Sequence, residues 1–112
     1  MGNYFSRKPI DMSSASAQFV REIIGRDKVV IFSKTYCPYC KMAKEQFKKL
    51  NQAVTVIELE TRDDASEIQD VLGELTGART VPRVFINGNF IGGGTDVQKM
   101  YNDGRLQKVL EE

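Results

Sequence analysis

The chain has 112 residues, 41% of them apolar and 28% charged, and its 16 basic and 15 acidic side chains leave a formal charge of +1. This length fits one domain, and the balanced charge argues against nucleic acid as the main partner, because phosphate binding usually needs a clear basic excess. The chain contains no histidine, which excludes a Ser-His-Asp triad and histidine-ligated metal. Two cysteines are too few for a disulfide scaffold or a four-cysteine zinc site, and no apolar run approaches the ~18 residues of a membrane span.

The amino-terminal stretch differs in pattern from the rest of the chain. Residues 1–12 have no periodicity and are predicted to form a flexible tail, while residues 13–112 are predicted to form a single domain. Ser13 or Ser14 can cap a first helix with its apolar residues on one face, and Gly25 is predicted to end it.

Two strands flank a second helix. Residues 29–32 are a continuous apolar run, which is typical of a strand buried on both faces, and residues 54–59 predict a second strand. A helix joins them, so the two strands are expected to be parallel. This helix begins at about Cys37, and its apolar stripe consists of Cys40, Ala43, Phe47 and Leu50.

A third helix follows the second strand. Asp64 and Glu67 have the spacing of a capping-box-like pair at its start, and Gly77 is predicted to end it. The residues predicted to face inward are Ile68, Val71, Leu72 and Leu75.

The last third of the chain predicts a hairpin and two short helices. Residues 83–86 and 90–91 flank Asn-Gly-Asn at 87–89, a strong hairpin signal, so these strands must be antiparallel. Thr95 and Gln98 predict a capping box for a short helix, and a final helical turn follows with Leu106, Val109 and Leu110. The element order predicts an α/β domain with one mixed four-stranded β-sheet flanked by helices.

The two cysteines stand in the sequence Cys37-Pro38-Tyr39-Cys40, directly after the first strand and at the start of the second helix. In this context a C-x-x-C pair is typical of a dithiol redox site, because residues three apart share a helix face. Cys37 would lie at the positive end of the helix dipole, and Cys40 would lie one turn further along the apolar stripe. We therefore predict an exposed attacking thiolate at Cys37 and a buried resolving thiol at Cys40, with Lys34 as the best-placed cation.

Two other interpretations of the cysteine pair stay open. Both side chains could be small buried apolar groups. They could also form half of a zinc site that a second chain completes, although Pro38 and the helix leave no obvious further ligands. We predict no metal site.

Three motifs together resemble the glutaredoxin family. They are Cys-Pro-Tyr-Cys at 37–40, Thr-Val-Pro at 80–82 before the strand 83–86, and Ile-Gly-Gly-Gly-Thr-Asp at 91–96. The resemblance extends from about residue 14 to the end of the chain. It implies a dithiol, CPYC-type glutaredoxin with a thioredoxin-like fold, which agrees with the predicted element order.

The resemblance implies a geometry at the second motif. The residues alone favour a trans bond before Pro82, since cis bonds are uncommon. The resemblance reverses this and implies a cis bond, which would expose the backbone of Val81 beside Cys37, where an extended peptide can pair with it.

The resemblance also implies a set of glutathione-binding residues. Thr95 and Asp96 would hold the γ-glutamyl end, Lys34 and Gln69 would face the glycyl carboxylate, and Arg79 can assist. For Lys34, Gln69 and Arg79, the alternative is that each is an ordinary solvated surface residue. The full predicted set is Lys34, Tyr39, Gln69, Thr80, Val81, Pro82, Gly93, Thr95 and Asp96.

The activity that the resemblance implies is glutathione-dependent thiol–disulfide exchange. Cys37 would attack the glutathione-side sulfur of a protein–glutathione mixed disulfide, and a second glutathione would release oxidised glutathione. For protein disulfides, Cys40 would resolve the mixed disulfide. Glutathione is then a co-substrate, and no tightly bound cofactor is expected.

Two alternatives to an enzyme stay open. Some glutaredoxins hold a [2Fe–2S] cluster between two chains with the first cysteine and bound glutathione, so a cluster-binding or carrier protein would use Cys37 in this way. Pro38 counts against this alternative, because cluster-binding relatives tend to have a small residue there. An adaptor that only docks partners would not need both cysteines.

The expected partners are glutathione and proteins that carry glutathione or disulfides, with no nucleic acid and with the chain acting as a monomer. The expected compartment is the cytoplasm, with mitochondrial or membrane-associated alternatives. Residues 1–6 match the pattern for myristoylation of Gly2. A single acyl chain would give only weak, reversible membrane binding.

Overall fold

The described residues, 10–112, form a four-stranded mixed sheet with helices on both faces, as a computed structural model of the chain shows. Its strands are β1 (Val29–Ser33), β2 (Thr55–Glu58), β3 (Arg83–Ile86) and β4 (Asn89–Gly92). Its helices are α1 (Ala15–Arg26), α2 (Pro38–Lys49), α3 (Ala65–Thr76), α4 (Gly94–Asn102) and α5 (Arg105–Leu110). The predicted α/β fold with one mixed sheet is confirmed.

Strand β1 occupies the interior of the sheet, whose order is β2-β1-β3-β4. It pairs in parallel with β2, with Ile31 opposite Val56, and antiparallel with β3, with Ile31 opposite Val84. All five residues of β1 are buried, as a continuous apolar run predicts. The carboxyl end of β1 therefore meets the amino end of β3, and this juxtaposition builds the site described below.

Two apolar clusters fix the helices on the sheet. Val30 and Phe32 point to the face covered by α1 and α3, whereas Val29 and Ile31 point to the face covered by α2, α4 and α5. Successive strand residues alternate between faces, so one short strand serves both clusters. Each fully buried side chain of this size contributes roughly 1.5–3 kcal/mol to stability.

Residues 10–12, the described end of the predicted tail, pack more closely than their pattern indicates. Residues 1–9 of the predicted tail, including Gly2 and its predicted myristoylation, lie outside the described residues. Ile10 and Met12 pack against the cluster beneath α1 and α3. Ser14 caps α1 as predicted, since its hydroxyl accepts the Ala17 N–H at 3.1 Å.

The predicted ends of two elements were wrong. Helix α1 continues through Gly25 to Arg26, because a glycine costs only about 1 kcal/mol in a helix whose apolar face is packed. Asp64 precedes α3, but its carboxylate binds Arg62 at 2.8 Å and makes no cap hydrogen bond. The carboxylate makes this ion pair in place of the predicted capping-box contact. Gly77 ends α3 with φ +89°, as predicted.

Burial along α3 agrees with the prediction at three positions out of four. Ile68, Val71 and Leu72 are buried, whereas Leu75 is 41% exposed. Leu75 lies in the last turn of the helix, beyond the edge of the sheet-facing cluster.

The hairpin formed as predicted, but the helix after it is capped differently. Asn87 and Gly88 have φ values of +51° and +81°, the conformation that the Asn-Gly pair favours in a two-residue turn. The predicted Thr95–Gln98 capping box was wrong. The cap of α4 is Gly93, whose N–H donates to the Asp96 carboxylate at 2.8 Å. Helix α5 buries Leu106 and Leu110, while Val109 is half-buried.

Asp27 joins the end of α1 to the start of β2. Its carboxylate accepts hydrogen bonds from Arg26 at 2.9 Å and from the Thr55 hydroxyl at 2.8 Å. The Arg26 contact, followed by the Thr55 contact, lowers the pKa of Asp27 to about 2.

Replacing Asp27 with asparagine is expected to make stability less dependent on pH. A depressed pKa stabilises the fold fully above the ordinary Asp value of about 3.9, and this stabilisation is lost as pH falls toward the folded value. We expect Asp27→Asn to be less stable than the unmodified chain at pH 7 and equally stable near pH 2, measured by urea unfolding. Asp63→Asn is the matched control. A stability difference that did not change with pH would contradict this prediction.

Candidate active site

Cys37 lies at the amino end of α2, directly after the loop that leaves β1. It is the N-cap of the helix, with extended backbone (φ −87°, ψ 118°), and Pro38 occupies the first helical position. Proline fits there because its missing N–H would be unpaired in any case. The Cys37 sulfur accepts the N–H of Cys40 at 3.4 Å. The sulfur thus takes the place of a capping oxygen and sits at the positive end of the helix dipole.

Cys40 lies one helical turn inside the protein. Its side chain is completely buried, while Cys37 is partly exposed, and both are free thiols. Burial raises the pKa of the Cys40 thiol, and the N–H of Lys34, which donates to the Cys40 sulfur at 3.5 Å, acts in the opposite direction. The structure therefore has the outer and inner thiols that the sequence predicts.

The loop before β3 contacts the outer thiol. The Val81–Pro82 bond is cis, as the family resemblance implies. The carbonyl oxygen of Val81 lies 3.9 Å from the Cys37 sulfur, within reach of the S–H. Pro82 is buried and Val81 is half-buried at this contact. Since β1 and β3 are neighbours, the sheet itself brings this loop to the cysteine pair.

The loop before Cys37 is held by a carboxylate that the sequence did not identify. Glu60 accepts the N–H of Thr35 at 3.0 Å and also the Thr35 hydroxyl. The hydroxyl contact is the main cause of a lowered pKa at Glu60. Lys34, the residue before Thr35, is half-buried and donates its N–H to Cys40. Nothing in the spacing of these residues indicates the contact, since Thr35 and Glu60 are 25 positions apart.

The predicted glutathione-binding residues form two groups around the thiols. One group consists of Lys34, Val81 and Pro82, which contact or adjoin the cysteines as described above. The other group lies at the start of α4 and consists of Gly93, Thr95 and Asp96, with the last two exposed to solvent.

Tyr39 and Gly94 link the cysteine helix to the start of α4. Tyr39 is 54% exposed. A Cβ at Gly94 would clash with the Tyr39 carbonyl oxygen at 2.6 Å, so the backbones of the two helices approach here more closely than a side chain at position 94 would allow. The second group of predicted residues is thereby placed beside α2.

Gln69 and Arg79 join α3 to the segment that precedes Val81. The Gln69 amide donates to the Arg79 carbonyl at 2.9 Å, and the Arg79 guanidinium binds Asp70 at 2.7 Å. These contacts pin the segment between α3 and Val81. In this structure, both side chains bind other residues of the chain.

Arg83 is a further residue of this region that the sequence did not identify. Its guanidinium lies 3.4 Å from the hydroxyl of Thr80, which is exposed, and 4.9 Å from the centroid of the Phe90 ring. Burial lowers the pKa of Arg83, and the charge of Asp96 acts in the opposite direction. The sequence feature that could have identified Arg83 is its place as a charged residue at the start of an otherwise buried strand.

Among residues 10–112, no group of three or more His, Cys, Asp or Glu side chains is arranged to hold a metal ion. Within the same range, every helix is too short or too polar to cross a membrane.

Comparison with known proteins gives one consistent result. The glutaredoxin family model matches residues 29–91. Glutaredoxin-C4 of Arabidopsis thaliana is 52% identical over 98 residues, which is 88% of this chain and 73% of that protein. Mitochondrial glutaredoxin-2 of Bos taurus is 42% identical over 112 residues, which is 100% of this chain and 71% of that protein.

The fold agrees with that of solved structures. A buckwheat glutaredoxin–glutathione complex has a TM-score of 0.82 and 40% sequence identity to this chain, covering 86% of this chain and 87% of that one. This confirms the thioredoxin-like fold.

The different environments of the two thiols predict selective alkylation. At neutral pH we expect iodoacetamide to modify Cys37 and to leave Cys40 unmodified, because Cys40 is completely buried and burial raises its pKa. Peptide mass spectrometry checks this. Cys40→Ser should be alkylated at the rate of the unmodified chain, and Cys37→Ser should be almost inert. Equal labelling of both thiols in the folded protein would contradict the assignment.

Proposed function

This chain belongs to the glutaredoxin family of thiol–disulfide oxidoreductases, and we propose that it uses glutathione to reduce protein–glutathione mixed disulfides and protein disulfides. The observation that carries this proposal is the pair of sulfurs at the amino end of α2, one partly exposed and one buried. The family uses glutathione as a partner, and the related buckwheat structure is a complex with glutathione.

In the proposed first step, the Cys37 thiolate attacks the glutathione-side sulfur of a mixed disulfide. The protein thiol leaves, and glutathione stays on Cys37. A second glutathione thiolate then attacks the glutathione sulfur on Cys37, which releases oxidised glutathione and restores the Cys37 thiolate. The helix dipole alone stabilises that thiolate by only about 0.3–1 kcal/mol. The N–H of Cys40, 3.4 Å from the sulfur, adds a direct hydrogen bond.

Protein disulfides need the second cysteine. Attack by Cys37 forms a mixed disulfide with the substrate protein, and Cys40 then attacks the Cys37 sulfur to release the substrate. The Cys37–Cys40 disulfide is reduced again by glutathione. Because Cys37 caps the helix that carries Cys40, the two sulfurs stay on one helix face throughout.

Glutathione is proposed to bind across the two groups of residues around Cys37. The γ-glutamyl end would lie at the start of α4, where N–H groups without helical partners suit its carboxylate and Asp96 suits its ammonium group. Lys34 would attract the glycyl carboxylate, and Gln69 would face it with the amide hydrogen that does not bind the Arg79 carbonyl. Val81 would pair with the cysteinyl backbone. The remaining proposed contacts come from Tyr39, Thr80, Pro82, Gly93 and Thr95.

Glutathione-driven turnover requires a reducing compartment. We propose the cytoplasm, with the mitochondrion as the second candidate, since Bos taurus glutaredoxin-2 is a mitochondrial relative. A protein that mainly carries a [2Fe–2S] cluster is not favoured. Its absorption spectrum after anaerobic purification would reveal a cluster directly.

Cys40→Ser is expected to keep the one-cysteine reaction. With reduced glutathione as the only reductant, this variant should release glutathione from a glutathionylated peptide, because the attacking sulfur and its helix N–H are intact. Cys37→Ser is the matched control and should be inactive. Loss of turnover in both Cys40→Ser and the unmodified chain would overturn the proposed glutathione dependence.

Asp96→Asn is expected to raise KM for the glutathionylated peptide roughly tenfold or more with little change in kcat, since a charge-assisted hydrogen bond contributes about 1.5–3 kcal/mol. Asparagine can still accept the Gly93 N–H that Asp96 accepts now. The variant therefore removes the charge and keeps the helix cap. Asp103→Asn, at the other end of α4, is the control. An unchanged KM would place the γ-glutamyl end elsewhere.

A further inference from the structure

Ser33 is a completely buried serine at the end of β1. Its hydroxyl has no hydrogen-bond partner among residues 10–112. Burying an unpaired hydroxyl costs free energy, and an alanine of nearly the same shape would avoid that cost. Stability therefore gives no reason for a serine at this position.

Ser33 follows Val29 and Ile31 by strand alternation on the face of β1 that α2 covers, and α2 carries the buried Cys40. Lys34, the next residue, donates its N–H to that sulfur at 3.5 Å. Burial raises the pKa of the Cys40 thiol, whereas the Lys34 N–H and, more weakly, the Ser33 hydroxyl favour the thiolate. Strand alternation and this electrostatic influence both place the hydroxyl on the side of the sulfur, and no hydrogen bond joins the two in the dithiol state.

The buried sulfur must carry negative charge during exchange. Cys40 attacks as a thiolate, yet its surroundings disfavour charge, and the chain has no histidine that could act as a base. One backbone N–H is the only hydrogen bond to this sulfur within the described part of the chain. A second donor that can turn toward the sulfur would stabilise the charge where it develops.

We propose that Ser33 is this second donor, and that it sets the rate of the two-cysteine route without affecting the one-cysteine route. The proposal rests on the proposed exchange chemistry at Cys37 and Cys40 and adds a residue to it. Serine is suited to this role because its hydroxyl hydrogen rotates to meet an acceptor.

The step balances in both directions. Cys40 gives its proton to solvent, and its thiolate attacks the Cys37 sulfur. The bond from Cys37 to the bound thiol breaks, and that thiol leaves with the electron pair. In the reverse reaction, a thiolate attacks the Cys37 sulfur of the Cys37–Cys40 disulfide and Cys40 leaves as the thiolate. The same donor therefore accelerates closing and opening.

A chromogenic aromatic disulfide tests the proposal without glutathione. Cys37 attacks it and releases one aromatic thiolate, and Cys40 then closes the disulfide and releases the second. We expect Ser33→Ala to leave the first release unchanged and to slow the second roughly tenfold, as loss of one hydrogen bond to a charged sulfur predicts. Ser16→Ala, which changes a buried serine on α1, is the matched control and should slow neither.

Two further measurements separate this role from a structural one. Reduction of the Cys37–Cys40 disulfide by a small dithiol should slow by the same factor in Ser33→Ala, while the equilibrium with that dithiol stays unchanged. The thermal midpoint should be equal or higher. An unchanged second release, or an equal loss in both releases, would overturn the proposal. Because no step uses glutathione, these outcomes are independent of whether the proposed glutathione dependence holds.

Discussion

The hydrogen bond from the Cys40 N–H to the Cys37 sulfur, 3.4 Å long, is the contact on which the site depends. It makes the partly exposed thiol the cap of α2 and so places its sulfur at the positive end of the helix dipole. It also fixes the second cysteine one turn away, on the face that packs into the core. Strand β1 determines where this happens, because the short loop that leaves its carboxyl end leads directly into α2.

The sheet brings the remaining parts of the site to that cap. The antiparallel pairing of β1 and β3 carries Val81 to the outer sulfur, and the close approach of Gly94 to Tyr39 holds α4 against α2. Segments that are far apart in the chain therefore come together around Cys37 and Tyr39. The apolar clusters on the two faces of the sheet hold the elements from which these segments leave.

The sequence predicted those features that depend on neighbouring residues. The hairpin is an example, because Asn87 and its glycine neighbour supply the positive φ values that the turn requires. Contacts that depend on distant residues were missed. The clamp of Glu60 on Thr35, which joins residues 25 positions apart, is the example. The cap predicted at Asp64 failed for a different reason, because Arg62, only two positions away, binds the carboxylate instead. The cis bond followed from the family resemblance, since residue chemistry alone favours the trans form.

The most direct test of the central claim is a redox titration of the cysteine pair in mixtures of reduced and oxidised glutathione. An exchange site that works with glutathione should be half oxidised at about −200 to −230 mV, where the pool can drive it in either direction. The fraction of Cys37–Cys40 disulfide, measured by alkylation and intact mass, should follow that midpoint. A midpoint below about −300 mV would mark a structural disulfide beyond the reach of glutathione and would contradict the account.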